Sequence, residues 1–173
     1  NAPFIVFDDA DLESAANAQV SGIFAATGQS CVAGSRLLVQ RGVKDAFLAR
    51  LKAKAEAVAI GAPGRMETEV GPLCTARQRE RIAALIARSV AAGAQLVTGG
   101  AVPDGPGFYF PPTILDCSDA PDAPALREEF FGPVLSVLSF GTEDEALALA
   151  NDTDYGLASG VFTRSLTRAH RMI

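Results

Sequence analysis

Short apolar runs rich in β-branched and aromatic residues alternate along this chain with longer segments of helical period, and that alternation restricts the fold more than any other feature. A strand buried on both faces reads as a continuous apolar run, and a parallel neighbour must be reached through a crossover helix. "FIVF" (4–7) and "RLLVQ" (36–40) have this character, and "QLVTGG", "FYFPPTILD", "PVLSVLSF" and "ASGVFT" follow further on. The pattern predicts an α/β fold: a mostly parallel sheet flanked by helices.

The intervening segments carry helix signals. In "DDADLESAANAQVSGIFAAT" Asp9 or Asp11 can cap a helix whose apolar face is Leu12, Ala15, Ala16, Val20, Ile23 and Phe24, with Gly28 helping to end it. "VKDAFLARLKAKAEAVAI" points Phe47, Leu48 and Leu51 one way and its lysines the other. "TARQRERIAALIARSVAAG" (75–93) aligns Ile82, Leu85, Ile86 and Val90 in one stripe and ends at a glycine; its arginines read as a solvated face. "GAPGRMETEVGPL" is too rich in glycine and proline for either state, "TEDEALALAND" reads as a short helix, and a last helix begins in "SLTRAHRMI". The chain opens without methionine and stops inside that last helical pattern, so it reads as a piece of a longer protein.

A chain of 173 residues, 49% of them hydrophobic, is long enough for one compact domain with a real core. The formal charge of -5 leaves no broad basic surface for a phosphate backbone, which argues against nucleic acid as a partner. Apolar runs fall short of the roughly 18 residues that cross a bilayer, so no membrane span is expected. Cys31, Cys74 and Cys117 are widely spaced and His170 is the lone histidine, a set that suits neither a zinc site nor a disulfide framework. A reducing, cytoplasmic setting is expected, and no metal site.

Cysteine acts as a nucleophile in its thiolate form, and it needs a base or a polarising neighbourhood. "TGQSCVAGSR" surrounds Cys31 with small residues, so other groups can approach its backbone, and peptide N–H groups there can stabilise an oxyanion. Free cysteine is equally at home as a buried packing residue, and residue chemistry leaves the two readings of Cys31 open. Cys74 and Cys117 lack comparable surroundings and read as structural; His170 reads as a surface or hydrogen-bonded histidine. Glu128 and Glu129, before an aromatic pair and a Gly-Pro turn, are by default solvated acids at a strand entrance. The alternative is an acid that binds a sugar hydroxyl beside a planar ring. Neither GxGxxG nor GxxxxGK[ST] is present, so the main phosphate site of any nucleotide lies outside this chain.

Taken together, four stretches resemble the NAD(P)-dependent aldehyde dehydrogenases. "GQSCVAGSR" is similar to that family's catalytic-cysteine signature, "REEFFGPVLSV" to its EE-hydrophobic-FGPV element and "NDTDYGLASGVFT" to its N-x-T-x-YGL segment. "NAPFIVFDDADLESA" resembles the stretch following its glutamate motif. The resemblance implies that residues 1–173 form most of a catalytic domain, incomplete at both ends, with the NAD(P)-binding domain outside this chain.

It also implies that Cys31 is the nucleophile that attacks a small-molecule aldehyde, giving a thiohemiacetal and, after hydride transfer to NAD or NADP, a thioester that water cleaves to the acid. Glu129 would hold the nicotinamide ribose, Phe131 would pack near that ring, and Gln78 would lie near the cofactor. The general-base glutamate would sit just before Asn1, and the intact protein would be a homodimer or homotetramer. The 173-residue chain alone is expected to bind the cofactor poorly and to be inactive. Two other readings stand beside this one: a member that passes the acyl group to coenzyme A, and a non-catalytic scaffold descended from the family.

Overall fold

The computed structural model describes residues 1–173. Six strands form one sheet in the order β3-β4-β5-β2-β1-β6. They are β1 (Pro3–Val6), β2 (Arg36–Gln40), β3 (Gln95–Thr98), β4 (Thr113–Asp116), β5 (Val134–Phe140) and β6 (Gly160–Phe162). Only the edge pair β3 and β4 is antiparallel; every other pairing is parallel. The expected fold class is therefore the one observed.

Five helices cover the sheet: α1 (Leu12–Phe24), α2 (Lys44–Ala57), α3 (Ala76–Ala91), α4 (Glu143–Asn151) and α5 (Leu166–Met172). Asp11, not Asp9, caps α1, its Oδ1 accepting from the Ser14 amide at 2.9 Å. Thr75 caps α3 and Thr142 caps α4 in the same manner, and α4 opens on three acidic residues suited to the positive end of the helix dipole.

Side-chain alternation along β2 explains its apolar run. Leu37 and Val39 pack with Ala16, Phe24, Phe47 and Leu51 beneath α1 and α2, whereas Leu38 joins Phe7, Phe140, Ala146 and Met172 on the opposite face. A further cluster under α3 gathers Ile82, Leu85, Ile86, Phe110, Leu115 and Cys117. Each fully buried large side chain there contributes roughly 1.5–3 kcal/mol by leaving water.

Several elements differ from the sequence reading. α1 stops at Phe24, before three consecutive left-handed residues, Ala26, Thr27 and Gly28. In "FYFPPTILD" only Thr113–Asp116 is strand, because Pro111 and Pro112 lack the N–H that a ladder requires. Val90 is 43% exposed, and Ser89 takes its place on the buried stripe of α3. The Ser89 hydroxyl donates to the Leu85 carbonyl and accepts from the Ala125 amide, which satisfies a polar group in an apolar setting. The arginines of α3 are not merely solvated, as described below. No helix is long and apolar enough to cross a membrane.

Candidate active site

The strand register assembles the site. Pro3 of β1 is opposite Arg36 of β2, which is opposite Ser136 of β5, and Phe4 is opposite Gly160 of β6. All four strands are parallel, so the segments that lead into them emerge along one edge of the sheet. Those segments contain Asn1, Cys31, Glu129 and residues 154–158. Open α/β sheets usually bind ligands at the carboxyl ends of their strands; here the chemistry-bearing residues gather at the amino ends.

A cleft of about 360 Å³ opens on this edge, and both Cys31 and Glu129 line it, together with Asn1, Asp154, Tyr155 and Leu157. Larger is a groove of about 420 Å³ around Pro103, Pro106 and Tyr109, but it holds no cysteine. Cys31 is exposed, so it is not a buried packing residue.

Three contacts place the Cys31 loop. The Thr27 hydroxyl donates to the Gly71 carbonyl at 3.2 Å, and the Gln29 side chain accepts from the Cys74 amide at 3.1 Å. Beyond the cysteine, the fully buried Gln19 of α1 donates to the Gly34 carbonyl at 2.6 Å. Cys31 itself sits at the tip of a turn closed by the Ala33 amide on the Ser30 carbonyl, 3.2 Å apart. The hydrogen bonds of the segment leave the Cys31 and Val32 amides without a protein acceptor.

Glu129 and Phe131 stand on a loop held from behind by α3. Arg81 donates to the Glu129 carbonyl at 2.6 Å and to the Phe130 carbonyl at 3.2 Å. Gln78 donates its amide N–H groups to the Phe130 and Phe131 carbonyls at 2.7 and 2.9 Å. Arg88 pairs with Glu128 and holds that carboxyl below its ordinary pKa. A face read as solvated is thus a scaffold for the acidic loop. Gln78 touches the main chain of that loop and does not line the cleft.

Glu129 keeps its carboxylate 31% exposed at the cleft, with the main-chain nitrogen of Asn1 3.5 Å away. Phe131 lies outside the cleft lining, 41% exposed, with a φ of 50°. A bulky residue in that left-handed region stores roughly 1–3 kcal/mol of strain, which the flanking contacts must sustain. The next residue approaches α3 closely: a β-carbon at Gly132 would come within 2.3 Å of Ile82 Cδ1. The loop is therefore pressed flat against α3.

The remaining cysteines divide. Cys117 is fully buried, and desolvation, followed by the neighbouring Asp116 charge, pushes its thiol up to about 12. That suits the structural role expected of it. Cys74 is exposed instead of packed, contrary to expectation, because only its amide is engaged, by Gln29. His170 is exposed on α5. No cluster of potential metal ligands is present.

Sequence reasoning missed Arg81, Gln19 and the cleft wall formed by Asp154, Tyr155 and Leu157. The signal for the wall was in "NDTDYGL", a polar stretch that, like the other three, immediately precedes a strand.

Comparison with known proteins gives this edge a context. The model of the aldehyde dehydrogenase family matches residues 1–173. A (Z)-2-((N-methylformamido)methylene)-5-hydroxybutyrolactone dehydrogenase of Acinetobacter baylyi is 61% identical over 171 residues, covering 99% of this chain and 35% of that protein. A betaine aldehyde dehydrogenase of Cereibacter sphaeroides is 51% identical over 173 residues, again covering 99% of this chain and 35% of the relative. The crystal structure of an NAD-dependent aldehyde dehydrogenase from Sinorhizobium meliloti superposes with a TM-score of 0.96 at 40% identity, over 99% of this chain and 34% of that one. The chain thus spans about a third of the length of these relatives. A match along the whole chain, in sequence and in fold, shows that the chain belongs to the aldehyde dehydrogenase family.

Proposed function

We propose that the intact protein oxidises an aldehyde to a carboxylic acid with NAD or NADP, and that this chain supplies the nucleophile-bearing part of its catalytic domain. The observation that carries the reading is the meeting of Cys31 and Glu129, distant in sequence, in one cleft at the sheet edge.

In this reading the Cys31 sulfur, as thiolate, bonds to the aldehyde carbon while the carbonyl π pair moves to oxygen. The unengaged Cys31 and Val32 amides are suited to receive that oxyanion. Collapse of the oxyanion expels hydride and leaves a thioester on Cys31; when bound, the oxidised nicotinamide supplies the acceptor for that hydride. Water then adds to the thioester carbon, the C–S bond breaks, and the acid departs. The residues present fit such a cofactor: the Glu129 carboxylate, 31% exposed at the cleft, can accept from ribose hydroxyls, and Phe131, two residues on, is 41% exposed.

The cleft lining includes no Lys, Arg or His side chain, and its ionisable groups besides Cys31 are Glu129, Asp154 and Tyr155. In this reading the thiol proton goes to the family's general-base glutamate, which the resemblance places outside residues 1–173. Iodoacetamide labelling of the full-length protein with peptide mapping tests the assignment. Cys31 should react faster than Cys74 and Cys117, and Cys31→Ala should abolish NAD(P)-dependent acid formation. Equal labelling of Cys31 and Cys74, or turnover by the alanine variant, would remove Cys31 from the mechanism. Product analysis with and without coenzyme A separates hydrolytic from acyl-transferring chemistry.

A further inference from the structure

The wall of the cleft opposite the acidic loop, residues 154–158, enters from the end of α4, and Asp152 is where that end is tied down. Asp152 follows the last turn of α4. Its carbonyl oxygen lies 3.5 Å from Arg36 Nη2 and 3.3 Å from Arg127 Nη1, and its carboxylate accepts from Arg127 Nη1 at 2.7 Å. Arg36 Nη2 also donates to the Leu149 carbonyl at 2.7 Å, satisfying one of the orphan acceptors at the helix end. Arg36 belongs to the strand that follows the Cys31 loop, and Arg127 stands two residues before Glu129. Three separate segments of the cleft therefore converge on one residue.

From this convergence we propose that Asp152 is a positioning residue for the reaction: through Arg127 and Arg36 it latches the 154–158 wall to the segments bearing Glu129 and Cys31. The proposal rests on the functional reading given above. Stability alone is a poor reason for the arrangement. The Asp152 and Arg127 side chains are 55% and 57% exposed, and ion pairs at such sites contribute little to folding. Arg36, in contrast, is 2% exposed with its Nε and Nη1 unpartnered, a buried cation kept where it reaches the end of α4. An acidic residue at the negative end of a helix is unfavourable by itself, and the two guanidinium groups offset that.

The test uses the full-length protein with Asp152→Ala, Arg127→Ala, Arg127→Lys and the double alanine variant. Each alanine variant should lower kcat/KM about tenfold, the scale of a displaced wall in a preorganised site. Iodoacetamide should meanwhile label Cys31 severalfold faster as the wall loosens. Cys117 should stay unlabelled and the melting temperature unchanged, which sets the effect apart from general unfolding. The double variant should lose no more than Arg127→Ala alone, because the carboxylate contact removed at Asp152 is one that Arg127→Ala already removes, and Arg127→Lys should restore part of the loss. Wild-type kinetics and labelling in the single variants would overturn the proposal, as would additive losses accompanied by a lower melting temperature. Absence of aldehyde oxidation by the wild-type protein would instead refute the functional reading, leaving the latch to be judged by the labelling rates alone.

Discussion

Gly28 is seated on the Gly132–Pro133 peptide: a β-carbon at Gly28 would lie 2.2 Å from the Gly132 carbonyl oxygen and 2.7 Å from Pro133 N. This is the direct contact between the loop that bears Cys31 and the loop that bears Glu129 and Phe131. Gly28 also has a φ of +66°, so a side chain there meets both a steric and a conformational penalty. Gly28→Ala should destabilise the full-length protein by about 2–4 kcal/mol, combining backbone strain with overpacking. Urea unfolding followed by far-UV circular dichroism checks this, and an unshifted midpoint would mean that the two loops part easily.

The hold of α3 on the acidic loop predicts a split in kinetic constants. Arg81→Ala removes two donors from the Glu129 and Phe130 carbonyls. It should raise the KM for NAD(P) about tenfold, the scale of a displaced ligand group, while leaving the alkylation rate of Cys31 unchanged. Arg88→Ala, which breaks an exposed pair with Glu128, should alter neither quantity. Steady-state kinetics with the cofactor as the varied substrate distinguishes the two variants, and equal effects would show that the loop does not depend on Arg81.

Gln19 gives a test on the other side of the cysteine. Its amide is the one side-chain contact to the Gly34 carbonyl, and its own Oε1 has no partner. Gln19→Ala should cost about 1–3 kcal/mol of stability by stranding that carbonyl and opening a void. Gln19→Glu should cost more, because it buries a charge beside a carbonyl oxygen. Thermal melts of the two variants check the order; a carboxylate tolerated better than alanine would refute it.

Cys117 predicts a pH dependence of stability. Its thiol is raised from an ordinary 9.0 to about 12 in the folded protein, so above pH 9 the unfolded chain releases a proton that the folded chain retains. The stabilisation is complete below pH 9 and declines as pH rises toward 12, with a slope of at most about 1.4 kcal/mol per pH unit from this group. Cys117→Ala should be less stable at pH 7, where a cavity forms, yet show a flatter decline across the alkaline window. Urea midpoints measured between pH 7 and 11 provide the comparison, and parallel declines would exclude Cys117 as the source.

The isolated 173-residue chain should give no NAD(P)-dependent acid formation, since the resemblance places both the general-base glutamate and the cofactor-binding domain outside residues 1–173. A coupled absorbance assay at 340 nm, the ordinary wavelength for reduced nicotinamide, measures it. Robust turnover would require a base among the cleft residues after all.

Local pattern by itself determined the alternation of strands and helices, the start of α1 at Asp9 or Asp11, and the run of β2, because these depend on neighbours within a few residues. The motif around Cys31 and the acids before β5 were legible for the same reason. Tertiary structure alone decided that the cysteine, the acid and the "NDTDYGL" wall meet, since parallel register carries the entrances of four strands to one edge whatever their separation in sequence. It also decided the fate of polar residues that carry no distance information. Arg81 and Arg88 lie on what reads as a solvated face of α3, and Gln19 lies on an apolar stripe of α1. Each finds a backbone or carboxylate partner that only packing brings within reach.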